Sequence, residues 1–131
     1  MFQNFLKRNS KKLMKILVVD DNREICEMIE TILASEGYDS VSCPNPLIAG
    51  AMIKKVRPKI LITDILMSGL DGRNLVKELR ATKEGKNLKI IMISANLEFN
   101  KPGILEGADA FLAKPFQMED LLDKVKALIH S

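Results

Sequence analysis

Three carboxylates, a hydroxyl and an ammonium stand at comparable places along this chain, each at the end of a short apolar run. Asp20 and Asp21 close the run Lys15-Ile16-Leu17-Val18-Val19. Asp64 closes the run from Lys59 to Thr63, Ser94 the run from Leu88 to Ile93, and Lys114 the run from Ala110 to Ala113. Three like charges gathered in one place repel one another, and burial raises that cost. A divalent cation relieves it, and hard oxygen ligands with no neighbouring His or Cys favour Mg2+ and admit Mn2+. A carboxylate beside a cation, an ammonium and a hydroxyl is equipped for phosphoryl transfer. The carboxylate attacks as nucleophile, Lys114 and the cation neutralise charge on the equatorial oxygens, and Ser94 donates a hydrogen bond to one of them.

Each member alone carries little. A lone aspartate at a strand end is more often a helix cap or turn residue, a Lys-Pro pair such as Lys114-Pro115 is usually a loop, and Asp71-Gly72 reads most simply as a turn. The weight comes from five such residues at one pole of a sheet, which depends on the elements that carry them.

Apolar and amphipathic runs alternate. Strands are predicted from Lys15 to Val19, Tyr38 to Cys43, Lys59 to Thr63, Leu88 to Ile93 and Ala110 to Ala113. Helices are predicted from Arg23 to Ser35 (Asn22 as N-cap, Gly37 closing it), Pro46 to Lys55, Arg73 to Thr82 and Met118 to Ile129. Strands alternating with helices call for a parallel sheet covered on both faces. The first, third and fourth strands are nearly continuous apolar runs, as central strands are. Ligands of such sheets bind beyond the C-terminal strand ends, near the switch in strand order. That pole is where the five residues fall. The weakest element is a short helix from about Lys101 to Glu106 behind Asn100, because Pro102-Gly103 is tolerable only in its first turn.

With 131 residues the chain reads as one domain. Hydrophobic residues make up 47% and aromatics only 5%, so the core must be built from Ile, Leu, Val, Met and Ala. No apolar run approaches the roughly 18 residues of a membrane span, and the basic N-terminus lacks the features of a secretory signal. Cys26 and Cys43 form neither a C-x-x-C pair nor a metal spacing with His130, which fits small buried hydrophobes in a reduced, cytoplasmic protein.

The net charge is +3, but residues 1–15 carry five Lys and Arg and no acid. The rest therefore holds 15 bases against 17 acids, which argues against direct nucleic-acid binding. The expected organisation is a basic, flexible extension over 1–14 and one domain over 15–131. Two other readings of the extension stand beside this one: a basic amphipathic helix with Phe2, Phe5 and Leu6 on one side, or an addition upstream of a start at Met14.

From about Lys15 to His130 the chain resembles response-regulator receiver domains of two-component systems, including the single-domain chemotaxis type. The resemblance rests on four segments in order: Lys15 to Asn22, Leu61 to Met67 continuing through Leu70-Asp71-Gly72, Ile91 to Ala95, and Gly107 to Phe116. It implies a flavodoxin-like, doubly wound α/β fold with a five-stranded parallel sheet in the order 2-1-3-4-5 and helices on both faces. It makes Asp64 the phosphoacceptor. Asp21, Asp64 and the backbone carbonyl of Leu66 would bind Mg2+ directly, and Asp20 largely through water. Ser94 and Lys114 would contact the phosphoryl group, Lys114-Pro115 would be a cis peptide, and Phe111 would be the aromatic that moves inward when Ser94 shifts. Leu66 and Asn96 occupy positions that influence attack of water on the acyl phosphate. Ser68 departs from the family's usual proline, the region around Pro102-Gly103 from its usual fourth helix, and Phe111 from the commoner tyrosine.

The function so implied is a stand-alone, phosphorylation-dependent switch, a regulatory protein rather than an enzyme. Its phosphoryl donor would be a histidine kinase or histidine phosphotransfer protein, its target an unidentified protein, and its state a monomer or weak homodimer. The alternative is a receiver-fold adaptor that signals without phosphorylation. A hydrolase or phosphatase with an aspartate nucleophile ranks last, because it needs a D-x-D element where this chain has Asp20-Asp21-Asn22.

Overall fold

In a strand, successive side chains point to opposite faces, so an unbroken apolar run supplies two cores at once. The computed structural model describes residues 15–101 and 106–129, and it shows this division. The strands are β1 (Lys15–Val19), β2 (Asp39–Cys43), β3 (Ile60–Asp64), β4 (Lys89–Ser94) and β5 (Ala110–Ala113). All neighbours are parallel, in the order β2-β1-β3-β4-β5. The helices are α1 (Arg23–Ser35), α2 (Ala49–Val56), α3 (Gly72–Arg80) and α4 (Met118–Ile129). Ile16, Val18, Ile60, Ile62, Ile91 and Ile93 face one layer, where Ile29 and Leu33 of α1 and Leu121 and Val125 of α4 cover them. Leu17, Val19, Leu61, Ile90 and Met92 face the other, under Ile53 of α2 and Leu75, Val76 and Leu79 of α3. This is the expected doubly wound fold.

Local chemistry explains the element ends. The Asn22 side chain accepts from the N–H groups of Glu24 and Ile25, capping α1. Gly37, at φ 82°, closes the helix: its N–H donates to Ala34 O, and the Tyr38 N–H reaches back to Leu33 O.

Several boundaries differ from the sequence expectation by one or two residues, and some by more. The second helix opens as a 3-10 turn over Pro46–Ile48, capped by Asn45, before becoming α2. The fixed φ of proline suits that first turn. The third helix starts at Gly72 because the Asp71 carboxylate accepts from the Arg73 N–H and caps it, so Asp71-Gly72 is a helix start rather than a plain turn. Both β3 and β4 run one residue further than predicted, which places Asp64 and Ser94 inside the ladder, Asp64 opposite Ile93. After β4 comes a 3-10 turn, Leu97–Phe99, capped by Asn96. Residues 1–14, 102–105 and 130–131 lie outside the described residues, and with them the extension, the interior of the expected short helix and His130.

Candidate functional site

The switch in strand order lies between β1 and β3, which pair directly with Val19 opposite Thr63. Parallel pairing in this register carries Asp20, Asp21 and Asp64 to the same sheet edge. Each offers a carboxylate oxygen, and these oxygens all lie within 4.8 Å of one another. Asp20 and Asp64 are buried, whereas Asp21 is exposed. Lys114 reaches in from the end of β5, and its Nζ donates to Asp20 Oδ2 and Asp64 Oδ2 at 3.0 Å each. The Lys114 N–H donates to Ser94 O at 2.9 Å, so one backbone bond ties the ammonium's residue to the hydroxyl's. The Lys114–Pro115 peptide is cis. Ser94 is buried, and its Oγ accepts from the Asn96 N–H at 3.0 Å, leaving the hydroxyl proton available to another acceptor.

Burial pushes the Asp20 carboxyl up, against the pull of the Asn22 amide and of Lys114. Burial also works against the charge on Lys114, but its hydrogen bonds to Asp64 and Asp20 outweigh that and hold it above the usual lysine range. The Ser68 N–H, donating to Asp21 Oδ2 at 2.8 Å, holds the Asp21 carboxyl below its ordinary value. Three carboxylates against one ammonium leave a formal −2 in a largely buried pocket. An oxygen-only donor set with that deficit matches a hard divalent cation of the Mg2+ kind. The residues present fit the metal.

Asp20, Asp21, Asp64, Ser94 and Lys114, singled out on the sequence, are therefore brought to one pole. Leu66 is 58% exposed and lies in a two-residue antiparallel ribbon, Leu66–Met67 against Leu70–Asp71. Phe111 is half-buried against the α2–α3 side of the core. Asn96 uses its side-chain oxygen to accept from the Glu98 N–H. Cys26 is inert: burial raises its thiol to about 11, and its Sγ donates to Asp20 O.

Two supporting features were not legible beforehand. A Cβ on Gly72 would lie 2.2 Å from the backbone oxygen of Asp64, so glycine is what lets α3 start against the strand that carries Asp64. The Asp-Gly pair was the only trace of this, and it read as a turn. Arg80, at the end of α3, donates to the carbonyls of Gly85, Leu88 and Gly107 and pairs with Asp109 at 3.0 Å, while Asp109 Oδ2 also accepts from the Ile90 N–H. Those contacts join α3 to the start of β5 and have no local sequence signal.

A doubly wound five-stranded sheet with an acidic, lysine-bridged pocket at its switch point defines a class of protein, and the comparisons name it. The family model described as the response regulator receiver domain matches residues 16–126. The chain belongs to that family and is a receiver domain of the two-component response-regulator type. It is 36% identical over 118 residues to the response regulator MprA of Mycobacterium avium, an alignment covering 88% of this chain and 51% of that protein. The chain thus spans about half the length of the curated relatives it matches. It superposes with TM-score 0.81 and 32% identity on the response regulator TrrA of Thermotoga maritima, solved in complex with Mg2+ and BeF, covering 88% of this chain and 98% of that one. The receiver domain of a sensor histidine kinase from Pseudomonas aeruginosa gives TM-score 0.82 at 28% identity, covering 90% and 98%; in it a magnesium ion is coordinated in the active-site cleft. Among the described residues, no helix is long and apolar enough to cross a membrane.

Proposed function

We propose that Asp64 accepts a phosphoryl group from a histidine kinase or a histidine phosphotransfer protein, and that the chain passes on this state through contact with another protein. What supports this reading above all is the convergence of Asp20, Asp21 and Asp64 within 4.8 Å, with Lys114 bonded to two of them. In the transfer, a carboxylate oxygen of Asp64 forms the new O–P bond as the P–N bond of the donor phosphohistidine breaks. The imidazole leaves neutral after taking up a proton. Lys114 holds the Asp64 carboxylate in place and faces the incoming negative charge, and Ser94 turns its hydroxyl proton toward a phosphoryl oxygen. Asp20, Asp21, Asp64 and the Leu66 carbonyl would hold Mg2+, with Mn2+ as an admissible substitute. When bound, the cation supplies charge neutralisation for the phosphoryl oxygens.

The acyl phosphate adds charge and acceptor oxygens beside Ser94 and Lys114. Drawing Ser94 toward it shifts the segment after β4, and Phe111 follows by packing alone, since it has no phenolic hydroxyl.

Mg2+ binding is the first test. Titration with Mg2+ raises the melting temperature, by the equivalent of about 2.7 kcal/mol at a hundredfold excess over the dissociation constant. Chelator reverses the gain, and Asp21→Ala blunts it. A melting curve indifferent to Mg2+ would favour the phosphorylation-independent adaptor.

Leu66 governs lifetime in this reading. An exposed aliphatic side chain two residues beyond Asp64 cannot orient water, and it shields the acyl phosphate from attack. Leu66→Asn shortens the half-life of phosphorylated protein severalfold, measured by decay of label after the donor is removed. Equal half-lives for the two proteins would remove Leu66 from the account.

A further inference from the structure

Arg73 connects two loops that border the pocket, and neither the metal set nor the phosphoryl contacts use it. Its Nε donates to both oxygens of Asp71 at 3.1 Å and its Nη2 to Oδ2 at 2.6 Å. Held in that fork, the guanidinium lies over the ring of Phe99, with Cζ 4.9 Å from the ring centroid. The geometry is that of a cation–π contact, and a pre-organised planar group loses little further freedom in making it.

Both ends of the contact lead to the site. Phe99 is the last residue of the 3-10 turn behind β4 and is half-buried against the α2–α3 side of the core. Its N–H donates to Asn96 O at 3.2 Å, and the Asn96 N–H donates to Ser94 Oγ at 3.0 Å. On the other side, Asp71 pairs with Leu66 in the short ribbon, and the Ser68 N–H at the tip of that ribbon donates to Asp21. The Ser94 hydroxyl and the carboxylate of Asp21 are thus linked through one arginine–phenylalanine contact.

We propose that Arg73 is a positioning residue for the segment 94–99: set over Phe99 and anchored by Asp71, it holds that segment in the arrangement in which Ser94 Oγ accepts from the Asn96 N–H. The proposal rests on the phosphoacceptor reading of Asp64. Movement of Ser94 toward a phosphoryl group drags Asn96 and Phe99 with it and unseats the ring from the guanidinium. Arg73 therefore opposes movement of Ser94 out of that arrangement. A cation–π contact at an exposed position corresponds to a factor of about two to five in that equilibrium.

The test uses the full chain and beryllofluoride with Mg2+ as the phosphoryl mimic, with the amide resonances of 96–100 reporting the loop. Arg73→Ala and Phe99→Leu each lower the half-saturating beryllofluoride concentration about two- to fivefold, and the double variant lowers it no further than either single one. Half-saturation unchanged in both single variants, or effects that add in the double variant, would overturn the assignment. Loss of fold stability alone does not lower the half-saturating concentration, and melting curves confirm that all four proteins are folded. Wild-type labelling by acetyl phosphate, run in parallel, separates the two levels. If wild type neither labels nor binds beryllofluoride, the phosphoacceptor reading falls and the role of Arg73 falls with it. If wild type does both while the variants titrate like wild type, only the role of Arg73 falls.

Discussion

Asp64→Asn abolishes phosphoryl labelling by acetyl phosphate in Mg2+ and leaves the fold in place. The carboxamide matches the carboxylate in size and keeps an oxygen able to accept from Lys114 Nζ, which sits at 3.0 Å. The Asp20–Lys114 pair, also at 3.0 Å, is untouched, so neither buried charge is left without its partner. What disappears is the nucleophile, because an amide oxygen does not form a stable acyl phosphate at neutral pH. One of three negative charges goes as well, and Mg2+ affinity falls. Intact-protein mass spectrometry reads the result directly as presence or absence of the added phosphoryl mass, with labelling expected below about one per cent of wild type. Full labelling of Asp64→Asn, or peptide mapping that puts the wild-type label on Asp20 or Asp21, would refute the assignment.

Gly72→Ala is expected to cost both stability and labelling, although residue 72 touches no phosphoryl group in this scheme. The Cβ of alanine would lie 2.2 Å from Asp64 O and 3.1 Å from the Cα of Ile65. Both obstacles are backbone, so no side-chain rotation relieves the clash. Either α3 lifts away, breaking the bond from the Gly72 N–H to Ile65 O at 2.6 Å, or the end of β3 is pushed away from α3. Overpacking of this kind costs about 1–3 kcal/mol. The second route also displaces Asp64 from Lys114 and from the other two carboxylates, and misplacement by about 1 Å lowers reactivity on the order of a hundredfold. Chemical denaturation and the acetyl phosphate assay measure the two losses separately. Unchanged labelling together with lowered stability would mean that α3 yields and the strand stays.

Arg80 and Gly72 mark the limit of what a linear reading reaches. Periodicity and apolar content were enough to place β1, α1, β5 and α4 at their observed ends, because each has a run of one period bounded by a cap or a charged residue. The same runs implied two cores, since a strand apolar at every position has to be covered on both faces. The class of chemistry also followed from residue type alone: three hard oxygen donors, a lysine and a serine at strand ends.

Only the tertiary structure decided how these groups meet. That Lys114 spans Asp20 and Asp64, that Asp21 stays exposed and is held by the Ser68 amide, and that Arg73 lies on Phe99 all depend on register and loop path. So does the need for glycine at 72, which depends on how closely α3 approaches the end of β3. The physical reason is one of range. Hydrophobic alternation and capping act over a few residues and are written locally in the chain. Contacts such as Lys114 with Asp20, 94 residues apart in sequence, arise only after the sheet has closed and brought distant backbone segments within hydrogen-bonding distance.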